Sequence, residues 1–147
     1  MARPTIDVRL ISTKQELEIA YRIRDEVFVK EQGVPESEER DADDEGADHM
    51  IARIEQREVG TGRLVHKPKG AGKIGRMAVL LDARGFGVGR AIVEALIERA
   101  RTAGAIEVYL DSEDHAVPFY RRLGFVEEGD PFLDVGIVHR RMRRRLG

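Results

Sequence analysis

The chain contains no cysteine among its 147 residues. This absence excludes a disulfide framework, a thiolate nucleophile and a zinc-thiolate site, and it suits a reducing cytoplasm. No apolar run approaches the length that spans a membrane, and the first residues lack the apolar core of a signal peptide. These absences predict a cytoplasmic protein that does not insert into a membrane.

The net charge is only −2, but the charges are segregated along the chain. Eight of the thirteen residues from Glu36 to Asp48 are acidic. This acidic segment, residues 36–48, is either a solvated loop or a lip that attracts a cationic substrate. Five arginines crowd the C-terminus at positions 140, 141, 143, 144 and 145. They would protect a final edge strand from aggregation or bind nucleic acid, and the lack of interleaved aromatic residues makes nucleic acid the weaker alternative.

The hydrophobic patterns predict one domain, residues 1–147, of the α+β class, with a single mixed sheet flanked by helices. A first strand and a helix that begins at Ser12 or Thr13 open the chain, and Gly33-Val34-Pro35 ends the helical pattern near Phe28. The other strands predicted are a hairpin of 49–54 and 59–65, then 73–81, 106–110 and about 137–142. The other helices are 90–102 and 115–125, and a loop surrounds Gly129-Asp130-Pro131.

A glycine-rich stretch, Arg84-Gly85-Phe86-Gly87-Val88-Gly89-Arg90, lies between a predicted strand and a predicted helix. Glycine permits positive φ and close approach of the backbone to a ligand. The first amides of the following helix have no partners within it and lie at its positive dipole end. This stretch therefore predicts a binding site for a phosphate group.

Two other phosphate motifs do not fit. The Gly72-Lys73 pair is followed by Ile74 and a strand, whereas a Walker loop needs Ser or Thr and a helix. Gly70, Gly72 and Gly75 have the spacing of a dinucleotide fingerprint, but they precede a strand instead of following one, and a hairpin connection is the better interpretation.

The spacing Arg84-x-x-Gly87-x-Gly89 resembles the acetyl-CoA pyrophosphate loop of the GNAT acetyltransferases. A second family signature is similar at Ala116, Tyr120, Gly124 and Phe125, with Glu113 where Asn or Gln is usual. Segments 28–35, 74–76 and 132–139 resemble the ElaA-like and YjcF-like branch of uncharacterised acetyltransferases. The similarity extends from about residue 21 to residue 142.

The resemblance implies a GNAT fold, a three-layer α/β/α arrangement, and transfer of acetyl from acetyl-CoA to an amine by direct attack in a ternary complex. Tyr120 matches the proposed general acid of the family. The cofactor-binding residues implied are Met77, Ala78, Val79, Arg84, Gly85, Phe86, Gly87, Val88, Gly89, Arg90, Glu113 and Tyr120.

The general base is less defined, because the strand that would hold the pantetheine offers only Arg76 as an ionisable side chain. We expect His49 or Glu31 as the base, or a route through water alone. The acceptor site is expected to include Phe28, Glu31, His49 and His139. A metal site built from His49, His115 and His139 is rejected, because no pair has helical ligand spacing.

Two alternatives to catalysis remain open from the sequence. One is a non-catalytic acyl-CoA sensor, and the other is a nucleic-acid-binding domain that uses the C-terminal arginines. The acceptor would be a small-molecule or peptide amine, and the chain would act alone or as a homodimer.

Overall fold

Short apolar and β-branched runs form a sheet, and longer runs with helical spacing form the helices around it. The computed structural model describes residues 4–147. The strands are β1 (Ile6–Leu10), β2 (Asp48–Ile54), β3 (Arg57–Lys67), β4 (Ala71–Val79), β5 (Glu107–Glu113), β6 (Val126–Asp134) and β7 (Ile137–Arg145). The helices are α1 (Lys14–Arg24), which continues as a π-helical segment (Asp25–Glu31), α2 (Glu36–Glu39), α3 (Val88–Thr102) and α4 (Val117–Arg122).

The seven strands form one mixed sheet in the order β1-β2-β3-β4-β5-β7-β6. Every neighbouring pair is antiparallel except β4 and β5, which are parallel. A parallel pair needs a crossover connection, and α3 lies on the one that joins these two strands. The mixed sheet predicted from the sequence is confirmed.

Helices cover both faces of this sheet. The apolar side of α3, with Ile92 and Leu96 fully buried, packs against the face that carries Leu64 and Ile74. On the opposite face, Ile23 and Val27 pack against Ala78. The predicted three-layer α/β/α arrangement is confirmed, and the larger core lies under α3.

The first helical run is longer than the sequence predicts. Thr13 and Glu16 form a capping box that starts α1, as expected for a threonine before an apolar run. The helical run does not end near Phe28 but continues in π-helical form to Glu31, because residues 14–32 contain no glycine or proline. The extra turn holds Phe28 and Glu31 beside β4, where they line a cleft.

The C-terminal region departs most from the prediction. Residues 129–131, expected to form a loop, belong to β6, whose pairing with β7 is irregular between Glu128 and Phe132. An edge strand tolerates a proline because its missing N–H needs no partner there. The edge is therefore β6, and the expectation that the arginines lie on a final edge strand is wrong.

Three of the five C-terminal arginines of β7 pair with carboxylates. Arg141 donates to Asp111, and Arg143 contacts both Glu107 and Glu128. Arg140 lies near Asp114 and Glu127. Arg144 donates to the Leu123 carbonyl instead. These contacts join β7 to its neighbours and reduce the charge that is free to meet a nucleic acid.

Candidate active site

A cleft opens where two parallel strands separate. β4 and β5 pair from Ala71 opposite Glu107 to Ile74 opposite Leu110, and no further. Beyond that point β5 follows β7 to Glu113, whereas β4 follows β3 to Val79. Among residues 4–147, the backbone of residues 75–79 on the β5 side has no strand partner. This free edge can accept an extended ligand as an added strand.

The cleft that follows this separation has a volume of about 1210 Å³. It brings together segments from the π-helical segment, β4, the glycine-rich stretch, β5, α4 and β7. Of the residues expected to bind cofactor or acceptor, those that line it are Phe28, Glu31, Met77, Val79, Arg84, Gly85, Gly87, Val88, Gly89, Arg90, Glu113, Tyr120 and His139.

Ala78 and Phe86 do not line the cleft. Ala78 is buried against Ile23 and Val27, and its partner on β3 is Thr61. Phe86 is 45% exposed. The expected role of these residues rests on main-chain groups and stays a prediction.

The glycine-rich stretch turns into α3 through left-handed backbone. Gly85 and Gly87 both have φ of 88°, and Gly87 caps the helix that starts at Val88. A β-carbon at Gly89 would lie 3.4 Å from the Phe119 ring. The free amides at the start of α3 therefore lie at the wall of the cleft, and no side chain at these glycines covers them. Such uncovered amides suit an anionic group.

Arg84 ties this stretch to the π-helical segment. Its guanidinium donates to both carboxylate oxygens of Glu31 at 2.7 Å, and its Nε donates to the Val79 carbonyl at 2.9 Å. The bidentate contact holds the pKa of Glu31 below its usual range. A carboxylate held in this way is a poor proton acceptor, so Glu31 is better suited to positioning than to general base catalysis.

Tyr120 lies in an apolar setting inside the cleft. Its ring makes edge contacts with Phe119 and Phe125, with centroids 4.9 and 6.0 Å apart. Burial, together with the nearby Glu113 carboxylate, raises the pKa of Tyr120 to about 12. The phenol therefore keeps its proton at neutral pH and can donate it.

Three titratable side chains gather at the end of β5. Glu113 contacts His115 at 2.6 Å, and its Cα partner across the sheet is His139. The His139 Nδ1 lies 2.8 Å from the Ile137 carbonyl, and its ring stacks on Phe132. Because a carbonyl only accepts, Nδ1 carries the proton in the neutral ring and Nε2 is left as the acceptor.

His49 is not in this cleft, and its expected role as base or acceptor contact is corrected. Its side chain is 6% exposed, and its Nε2 lies 2.9 Å from the Asp44 carbonyl. It lines a separate depression of about 570 Å³ beside Tyr21. Its position in sequence, after the acidic segment, gave no information about the direction of its side chain.

The acidic segment is also not a free lip. Glu39 and Asp44 are buried, and both accept from the buried guanidinium of Arg24. Asp41 accepts from Arg63 and Arg76. The hypothesis that this segment attracts a cationic acceptor is therefore wrong for these three carboxylates, which stabilise the fold of the segment.

Arg63, which also lines the cleft, was missed at the sequence level. It lies in the middle of β3, where its neighbours Gly62 and Leu64 are buried. A charged residue inside an otherwise buried strand was the available signal, because such a charge needs partners.

No group of metal-ligating side chains was found among residues 4–147. No helix in that range is long and apolar enough to cross a membrane.

A mixed sheet whose parallel pair separates beside a glycine-rich helix start defines an acyltransferase of the GNAT class. The chain belongs to this family: the profile of the acetyltransferase (GNAT) domain matches residues 10–146. The uncharacterised N-acetyltransferase YjcF of Bacillus subtilis is 38% identical over 136 residues, which cover 92% of this chain and 96% of YjcF. The predicted YjcF-like relationship is confirmed.

Solved structures agree with the fold. An acyl-CoA N-acyltransferase from Pseudomonas aeruginosa is 30% identical, with a TM-score of 0.84 and coverage of 95% of this chain and 99% of that one. Escherichia coli ElaA is 24% identical, with a TM-score of 0.85 and coverage of 96% and 100%.

Proposed function

We propose that this GNAT acyltransferase transfers an acetyl group from acetyl-CoA to an amine by direct attack in a ternary complex. The observation that carries the proposal is the single cleft that contains a free strand edge, the glycine-rich helix start and a protonated tyrosine. Acetyl-CoA would supply the activated thioester. The remaining tasks fall to the residues of this chain.

The cleft has suitable places for acetyl-CoA. The edge of residues 77–79 that faces away from β3 suits the amide groups of pantetheine, since strand backbone pairs with extended amides. The Val79 carbonyl on this segment already accepts from Arg84. The amides of residues 86–90 suit the pyrophosphate, because they lie at the start of α3. The side chain of Arg84 is already held by Glu31, so its proposed contribution to binding is to hold the glycine-rich stretch in place.

Tyr120 is the proposed general acid. The departing thiolate needs a proton, and the buried phenol retains one at neutral pH. Phe119 and Phe125 hold its ring at an angle to their own, which fixes the direction in which the hydroxyl lies.

His139 replaces His49 as the proposed proton acceptor. It lines the cleft, and its Nδ1–H is held by the Ile137 carbonyl, which leaves Nε2 available to take a proton from the ammonium of the acceptor through water. Glu31 is disfavoured because its carboxylate is paired with Arg84.

The first experiment tests acetyl-CoA binding. Gly89 has an ordinary φ, and a β-carbon there would make only a close contact with Phe119 at 3.4 Å, so Gly89→Val should fold. The branched side chain would stand where the backbone approaches the pyrophosphate. We expect acetyl-CoA to raise the melting temperature of the wild type and to do so much less for the variant.

Gly46→Val is the matched control, because nothing lies within 4 Å of a β-carbon there and Gly46 lies outside the cleft. It should keep the full thermal shift. An unchanged shift in Gly89→Val would contradict the placement of the pyrophosphate.

A panel of amines with detection of free CoA then tests catalysis. Release of CoA that depends on the amine supports acetyl transfer. Binding of acetyl-CoA without turnover of any amine would favour an acyl-CoA sensor instead. Nucleic-acid binding is the weaker alternative, since three of the five arginines on β7 pair with carboxylates of the chain itself.

A further inference from the structure

The backbone of β4 is distorted at the point where it leaves β5. Between Thr61 opposite Ala78 and Arg63 opposite Gly75, β4 contains one residue more than β3. Arg76 occupies this bulge with φ of 49°, a left-handed conformation that non-glycine residues adopt at a cost. Bulges beside active sites redirect a side chain, and here the redirected side chain is a guanidinium that lines the cleft.

Arg76 is one of three arginines held by the acidic segment. Its Nε donates to the Glu39 carbonyl at 2.9 Å, and its Nη2 donates to Asp41 at 3.1 Å. Arg63 donates to Asp41 and Asp44 through its terminal nitrogens. The third member, Arg24, is fully enclosed with Glu39 and Asp44. We call Arg24, Arg63, Arg76, Glu39, Asp41 and Asp44 the arginine cluster.

One terminal nitrogen of Arg76 is left over by the contacts within this cluster. Each of the three carboxylates accepts at least two hydrogen bonds from guanidinium or backbone groups. The Arg76 Nη1 has no partner among residues 4–147, whereas the Arg63 Nε, which also has none, is buried and out of reach of a ligand. Guanidinium nitrogens only donate. A ligand group that meets the Arg76 Nη1 must therefore be an acceptor, such as a carboxylate, and not an ammonium.

The electrostatic setting of Arg76 also favours an anionic ligand group. Burial and the neighbouring Arg63 guanidinium lower the pKa of Arg76. An environment that disfavours a cation becomes more favourable when an anion binds beside it. Lys73 also lines the cleft, but it pairs with Asp111 at 3.5 Å and adds no net positive charge.

The position of the cluster separates it from the phosphate site. Arg76 lies where β4 and β5 diverge, whereas the glycine-rich stretch lies beyond the other end of the free strand edge. In the proposed function, the thioester lies between these two points, and the acceptor approaches from the Arg76 end.

We propose that the acceptor of this enzyme is an amine that carries a carboxylate, such as an amino acid, and that Arg76, supported by Arg63, binds that carboxylate. The inference rests on the proposed acetyl transfer. It replaces the expectation of a cationic acceptor that the acidic segment suggested.

The test compares matched acceptors. The common L-amino acids are each assayed beside their α-carboxamides, with acetyl-CoA saturating and free CoA as the readout. The carboxamide keeps the amine and the side chain but lacks the negative charge. We expect at least one amino acid to exceed its carboxamide in kcat/KM by about tenfold or more, since a site built around a polar group rejects analogues that lack it.

Arg76→Asn identifies the residue responsible. Asparagine tolerates the left-handed conformation, so the bulge should persist. The variant should reduce the preference for the amino acid to nearly one, chiefly through KM for the acceptor, and leave the KM for acetyl-CoA unchanged. Arg57→Asn is the control, because Arg57 pairs with Asp82 outside the cleft.

A second readout does not depend on turnover. With CoA bound, the preferred amino acid should shift the melting temperature of the wild type, while its carboxamide and Arg76→Asn should give little shift. Equal responses to acid and amide, or no response to any carboxylate-bearing probe, would overturn the inference. Absence of acetyl transfer with retained amino-acid binding would instead contradict the proposed function alone.

If Arg76→Asn does not fold, Arg76→Lys provides the alternative variant. It keeps the charge but lacks the planar fork that holds a carboxylate through two donors. We expect a smaller but measurable loss of the preference for the amino acid, and an unchanged preference would count against the role of Arg76.

Discussion

Tyr120 keeps its proton in the surroundings that the cleft provides. An exposed tyrosine would lose its proton near pH 10, but burial and the Glu113 carboxylate raise the pKa of Tyr120 to about 12. Both causes disfavour the charged phenolate, so the hydroxyl remains a donor over the whole physiological range. The raised pKa makes the phenol a weaker acid, so the proposed role rests on the sequence motif and on the position of Tyr120 in the cleft.

Replacement of Tyr120 by phenylalanine should slow the chemical step and spare binding. The variant removes one hydroxyl and leaves the ring contacts with Phe119 and Phe125. General acid catalysis is worth about 10²–10⁴-fold, so we expect kcat to fall within that range while calorimetric affinity for CoA stays the same.

Tyr109→Phe is a suitable control, since Tyr109 lies under Arg141 and Arg143 and outside the cleft. If Tyr120→Phe retains wild-type kcat with chemistry rate-limiting, another proton donor is used.

His139 leads to a prediction about the base. Its Nδ1–H is held by the Ile137 carbonyl, and its Nε2 is the proposed proton acceptor. General base catalysis is worth about 10²–10⁴-fold, so His139→Gln should lower kcat/KM within that range while calorimetric affinity for CoA stays the same. His66→Gln, which removes the exposed partner of Asp48, should keep the wild-type kcat/KM, and a wild-type value in His139→Gln would exclude His139 as the base.

At the scale of elements, the acidic segment shows the limit of charge patterning. Its composition is that of a solvated loop, but the burial of its carboxylates depends on arginines that lie far away in sequence. Arg24 lies 15 residues before Glu39 and 20 before Asp44, and Arg63 lies 22 residues after Asp41. The segment therefore folds over the first helix and β3, and only its exposed carboxylates, such as Asp43 and Glu45, remain as surface charge.

Asp44→Asn should test this arrangement. The contacts with Arg24 and Arg63 hold the pKa of Asp44 below its usual range despite its burial. Loss of one partner from a buried ion pair costs about 3–5 kcal/mol. We expect a decrease of that order in the free energy of unfolding, measured by urea titration at pH 7.

Asp43→Asn replaces the exposed neighbour of Asp44 and should have little effect on the free energy of unfolding. The pH dependence has a definite sign: because the folded-state pKa of Asp44 is lowered, its contribution is present above the ordinary aspartate pKa, about 3.9, and is lost as pH falls below it. The stability difference between wild type and Asp44→Asn should shrink in acid, and a constant difference would contradict the ion-pair explanation.

The elements with local signals were predictable from the sequence. The capping box at Thr13, the glycine-rich stretch before α3 and the helix that ends near Gly124 all follow from short-range rules. β6 was not predictable, because Gly129 and Pro131 read as a loop and only its position at the sheet edge makes them acceptable. The direction of His49 and the partners of Arg63 depend on strand pairing across the molecule, which local patterns do not contain.

At the scale of the whole molecule, the cleft depends on how closely α3 approaches the sheet. Gly60 and Gly62 lie on β3 directly under this helix. A β-carbon at Gly62 would lie 2.6 Å from the Ile92 Cγ2, 2.8 Å from the Met77 sulfur and 2.9 Å from the Leu96 Cδ1. One glycine therefore sets the spacing between the helix, the central strand and the strand that borders the cleft.

Gly62→Ala should accordingly weaken both the fold and the site. The three contacts are too short for the neighbours to accommodate without moving, and overpacking of a core costs about 1–3 kcal/mol. We expect a decrease of that order in the free energy of unfolding, measured by urea titration with Gly46→Ala as the unstrained control. Because Met77 borders the free edge of β4, the same variant should also bind acetyl-CoA less tightly by calorimetry. Wild-type stability in Gly62→Ala would mean that α3 does not need this close approach, and that the width of the cleft is set elsewhere in the sheet.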